Sequence, residues 1–158
     1  MVAERRTSHK DLILWQKSMD LAVEVHQFAL RLPAFERFGL AAQLRRAAVS
    51  VPSNVAEGTA RRTTREFISY LYIARGSLAE IETQLLLARR LGYVDEATVR
   101  ALSPAMAEVG RLVNAVIRGL QRRLESQLPS PPSSPSSPSS PLSLPSPSSP
   151  LSPPLTSP

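Results

Sequence analysis

Cysteine is absent from this chain, which excludes a disulfide framework and fits a reducing compartment. Histidine is nearly absent too. His9 and His26 are the only two, and neither stands four residues from another metal-ligand side chain, so no metal site is expected. Aromatic residues number eight, with no platform of the kind that stacks bases in RNA-recognition motifs. No apolar run reaches the roughly 18 residues of a membrane span, and the stretch from Met1 to Lys10 lacks the apolar centre of a signal peptide. A cytoplasmic protein is the expectation. Glycine-rich phosphate loops, Walker motifs and nucleophile elbows are missing as well. Ser50, Ser53 and Ser77 have no evident base to activate them. Glu57, Glu80 and Glu82 offer carboxylates for an acid/base set, but an interior carboxylate in a helical bundle more often pairs with arginine. The chain is therefore read as non-enzymatic, with no catalytic residue and no cofactor.

Lysine is scarce while arginine is abundant, 17 against the two lysines Lys10 and Lys17, and the net charge is +6. Such a surface favours polyanions, or it serves solubility alone. All the charge lies before Pro129, because from there on only Pro, Ser, Leu and Thr occur. That tail cannot bury enough surface to offset its ordering entropy. Residues 128–158 are expected to be a disordered Pro/Ser-rich tail, residues 1–9 a flexible amino-terminus, and residues 10–127 one folded domain.

Within that domain apolar residues recur with the 3.6-residue helical period and nowhere sustain a period of two. The first helix is expected from about Asp11 to Arg31, with Ser8 and Asp11 as a capping box, and Leu14, Leu21, Val25, Phe28 and Leu32 on one face. Trp15, Met19 and Ala22 widen that face, and Pro33 ends the helix. The second runs from about Arg37 to Glu57, with Leu40, Leu44, Ala47, Val51 and Val55 in one phase and Gly58 as a stop. Because that phase persists across Pro52, a kinked single helix is expected in preference to a full break. A third helix should begin at Thr63, boxed with Glu66, and continue to Leu91 before Gly92. The fourth carries Leu102, Met106, Val109, Val113, Val116, Leu120 and Leu124; Asp95 caps it, or Ser103 and Pro104 restart it. Four long helices with short links imply an all-α, antiparallel up-down-up-down four-helix bundle.

Two surfaces depart from an ordinary bundle. Beside the apolar stripe of the second helix runs a polar seam of Gln43, Arg46, Ser50, Ser53, Asn54, Glu57 and Arg61, read either as a packed polar interface or as plain exposure. The third helix has a second apolar set, Ile68, Tyr72, Ala79 and Leu86, and a small-residue surface at Ala74, Gly76, Ser77 and Ala79. Gly76 inside a helix implies close packing. Ser50, Pro52, Ser53, Asn54, Glu57, Ile68, Tyr72, Gly76 and Ser77 are therefore the candidates for packing within or between copies. Arginines cluster as Arg45 and Arg46, then Arg61, Arg62 and Arg65, then Arg89 and Arg90, then Arg122 and Arg123. These suit sequence-independent phosphate contacts, which would be salt-sensitive.

The segments DLILWQKSMDLAVEV, FGLAAQLRRAAVSVPSNVAEGTARR and EFISYLYIARGSLAEIETQLLLARRLGYV resemble a four-helix bundle family. It includes the proteins encoded in intervening sequences of bacterial large-subunit ribosomal RNA, and the accessory variability determinant of diversity-generating retroelements. The likeness covers about residues 10–125 and leaves the Pro/Ser tail outside. It implies a homo-oligomer, a pentamer by that likeness, with a basic surface. In the retroelement branch it further implies binding of nucleic acid and a reverse transcriptase. The expected function is an oligomeric accessory that binds RNA or DNA electrostatically; the alternative is a structural or protein-interaction module without nucleic-acid binding.

Overall fold

The computed structural model describes residues 8–127. The tail, and the amino-terminus before Ser8, lie outside the described residues. The chain is all-α: α1 spans Ile13–Ala29, α2 Leu40–Ala60, α3 Thr64–Arg90 and α4 Glu96–Ser126, with short 3-10 turns at His9–Asp11 and Ala34–Arg37 and no strand among the described residues. No helix there is long and apolar enough to cross a membrane.

The helix ends follow their local chemistry. Thr63 caps α3 in a reciprocal box: its hydroxyl accepts the Glu66 N–H at 3.2 Å, and the Glu66 carboxylate accepts the Thr63 N–H at 3.1 Å. At the other end Gly92 takes the left-handed conformation, φ 74°, which a side chain would strain. Its N–H donates to Arg89 O, and that of Tyr93 to Ala88 O, closing the helix with the paired bonds of a Schellman turn. Asp95 caps α4 through the Thr98 N–H at 2.8 Å, and α4 then runs unbroken through Pro104. Proline at that position removes one helical N–H without ending the helix.

Three helix boundaries differ from expectation. The box of Ser8 and Asp11 closes a 3-10 turn rather than the first turn of α1, which starts at Ile13. α2 is one helix through Pro52, as expected, but continues beyond Gly58 to Ala60. Gly58 is thus no stop; it sits buried against α3, where an added Cβ would lie 2.5 Å from Phe67 Cδ2 and 3.0 Å from Tyr70 Cβ. α2 instead begins on a side chain from the preceding turn, because the Glu36 carboxylate accepts the Leu40 N–H at 2.7 Å.

α2 packs on α1 and α3, and α4 closes against α3 and α1. Contacts of Ser50 with Ser77 and of Gly58 with Phe67 run in opposite chain order, so α2 and α3 form an antiparallel hairpin. Tyr72 with Gln121 and Arg89 with Glu96 do the same for α3 and α4. The apolar stripes meet at the centre, where Leu21, Leu44, Leu71, Ile81, Leu85, Val25, Val51, Val55, Val109 and Val113 are fully buried. Burying each such side chain contributes about 1.5–3 kcal/mol. Met19 departs from its expected place: it is 40% exposed, while the buried position beside the stripe is taken by Ser18, whose hydroxyl donates to Trp15 O at 2.8 Å.

Candidate nucleic-acid interface

The polar seam of α2 divides in two. Ser50, Asn54 and Ser77 form a relay with one consistent direction. The Asn54 amide donates to Ser50 Oγ at 3.0 Å and to Ser50 O at 2.8 Å; the Ser50 and Ser77 hydroxyls lie 2.8 Å apart; Ser77 Oγ donates to Ile73 O at 3.2 Å. Every hydroxyl in it is satisfied while the two helices meet through small side chains. This half is a packed polar interface inside the chain. The rest faces outward: Gln43, Arg46, Ser53, Glu57 and Arg61 are exposed. Ser53 points instead toward a groove of about 610 Å³ between α1 and α2, together with Pro52, Val49, Trp15 and Met19.

On α3, Ile68 is buried in the core, whereas Tyr72 is 40% and Leu86 44% exposed, joined by Ile73 and Leu87. Gly76 is exposed, and a Cβ built there would meet nothing within 4 Å. The close packing expected at Gly76 therefore does not occur among the described residues.

The nine candidate arginines fall into committed and free groups. Arg61 stacks over the Tyr70 ring at 4.5 Å, bonds to its hydroxyl, and pairs with Glu57 at 3.6 Å. Arg45 is half-buried and donates to Arg37 O at 2.9 Å. Arg89 pairs with Glu96 at 3.7 Å. Arg46, Arg62, Arg65, Arg90, Arg122 and Arg123 are exposed, and their side chains have no ion pair or hydrogen bond among the described residues. Four of these six share one end of the bundle. Arg62 and Arg65 lie at the α2–α3 turn, and the bond from Gln121 Nε2 to Tyr72 Oη, 3.2 Å, brings the last turns of α4 alongside the start of α3. Arg90 is about 37 Å away from Arg65 along α3 at 1.5 Å per residue. Doublet spacing in the sequence could not separate these groups, because commitment depends on partners from other helices.

Ionisation at the two capping sites follows the hydrogen bonds. Bonds from Thr63 hold the Glu66 carboxyl below its ordinary range, and those from Thr98 do the same for Asp95. Tyr93 donates its phenol to Glu36 at 3.0 Å, and that bond raises its pKa. No group of three metal-ligating side chains occurs among the described residues.

A model of the 23S rRNA-intervening sequence protein family matches residues 10–115. The fold is also similar to a crystal structure of a protein with unknown function from the S23 ribosomal protein family of Bacteroides thetaiotaomicron VPI-5482. That likeness has a TM-score of 0.60 at 23% sequence identity, and covers 67% of this chain and 99% of that one. No curated protein matches the chain.

Proposed function

The chain belongs to the 23S rRNA-intervening sequence protein family, and from that premise we propose that it is a non-enzymatic, oligomeric accessory that binds RNA or DNA electrostatically. The observation that carries this reading is the end of the bundle bearing Arg62, Arg65, Arg122 and Arg123, exposed and without carboxylate partners among the described residues. Guanidinium groups left uncompensated gain most from phosphate, whose counterions are released on binding. Self-association belongs to the same proposal, a pentamer by resemblance. Ile73, Leu86 and Leu87, 44–52% exposed on α3, support it. A reverse transcriptase partner follows from the retroelement branch of the resemblance, and co-purification with a reverse transcriptase tests it.

Filter binding of a generic RNA across a salt series tests the electrostatic claim. Affinity should fall linearly in a log–log plot, and replacing Arg62 and Arg65 together by alanine should flatten the slope by about 1.4 for a single strand, at about 0.7 per phosphate contact. Salt-insensitive binding, or none, removes the claim. A second reading, an interaction module for a protein partner, draws on the apolar groove between α1 and α2. A partner retained after nuclease treatment favours it.

A further inference from the structure

The opposite end of the bundle combines features that phosphate contacts alone do not need. The 3-10 turn Ala34–Arg37 leaves Phe35 74% and Phe38 88% exposed. Isolated apolar residues on a surface are ordinary, but these two phenylalanines sit on a braced support. Glu36 is fixed from both sides, by the Leu40 N–H at 2.7 Å and the Tyr93 hydroxyl at 3.0 Å. Phe35 rests edge-on against the Tyr93 ring at 5.7 Å. Phe38 has the Arg37 guanidinium 5.5 Å from its ring centre. Next to the turn a groove of about 400 Å³ is lined by Leu30, Leu32, Pro33, Ala41, Arg37 and Arg45.

Arginine outnumbers carboxylate at this end, although Glu36 and Asp95 keep their negative charge because neutral donors hold them. Glu36 is occupied as described, Asp95 is engaged by Thr98, and Glu96 pairs with both Arg89 and Arg100. Arg37 and Arg90 have no carboxylate partner among the described residues. Two exposed rings, an apolar groove and the unpaired Arg37 guanidinium beside Phe38 make a surface suited to unpaired nucleotides. The rings and groove take base faces, and the arginines take the adjoining phosphates. In a duplex the base faces are already stacked and cannot reach Phe38.

We infer that the Phe35–Phe38 turn is a stacking site for single-stranded nucleic acid, distinct from the arginine end. This rests on the nucleic-acid reading above and names its substrate class. The test compares a pyrimidine oligonucleotide of about 12 residues with the duplex of the same sequence, using the full chain and the variants Phe38→Ala and Phe38→Trp. Phe38 is almost fully exposed, so its truncation leaves the core untouched.

The expected result is tighter binding of the single strand. Phe38→Ala should weaken that binding about tenfold at unchanged salt slope, Phe38→Trp should restore it, and duplex binding should not move. Equal affinity for both forms, with Phe38→Ala silent, overturns the stacking site and leaves the electrostatic reading standing. No binding of either form removes both. A loss of assembled mass in Phe38→Ala, with nucleic-acid binding intact, assigns the turn to contact between copies and also overturns the inference.

Discussion

Gly58 shows how one residue type can carry two meanings. Glycine after an apolar run reads as a helix stop, yet here the chain stays helical through it, and the missing Cβ is the space into which Phe67 and Tyr70 of α3 fit. Gly58→Ala forces the Phe67 ring and the Tyr70 Cβ to shift. The expected cost is about 1–3 kcal/mol, read as a lower urea midpoint at unchanged slope. An unshifted midpoint means the hairpin relaxes without loss. Arg61 carries a similar lesson, since its neighbours Arg62 and Arg65 remain free while it is held by Tyr70 and Glu57. Neighbouring arginines in the chain are not equivalent on the surface, because Tyr70 comes back to this point only through the α2–α3 turn.

At the scale of the helices, ends are set by side chains a few residues away, and such pairs are visible in the sequence. The box of Thr63 with Glu66 and the cap at Asp95 are both present as expected. Their carboxylates have pKa values depressed in the folded chain by hydrogen bonds that the unfolded chain lacks. The stability they contribute is therefore fully present above the ordinary carboxylate range and is lost as pH falls through the depressed values. Urea melts from neutral pH into the acid range should show this loss, and Thr63→Val should reduce the Glu66 part of it. An acid profile identical in Thr63→Val would mean that the cap does not hold the Glu66 charge. Glu36 is different in kind. It joins the start of α2 to Tyr93 beyond α3, 57 residues along the chain, a distance no local pattern reveals.

For the whole molecule, the outer face of α3 leaves Ile73, Leu86 and Leu87 exposed. Gly76 weakens the helix, and a Cβ there would meet nothing among the described residues. If a second copy approaches there, Gly76→Ala stabilises the single chain by up to about 1 kcal/mol while lowering the assembled mass seen in light scattering. An unchanged mass places the contact elsewhere. The sequence by itself determined the helical class, the four helices, most caps and the central core, because helical period and capping chemistry act over three or four residues. It also carried the family likeness in the SVPSNVAEG and ARGSLAE segments. Only the tertiary structure decided that Ser50 and Asn54 join Ser77 while Ser53 turns to the α1–α2 groove, that six of the nine candidate arginines have no partner among the described residues while three are committed, and that Phe38 stands in solvent beside Arg37. Those outcomes depend on which side chains distant segments bring within a few ångströms, and a periodic pattern specifies a buried face without specifying its partners.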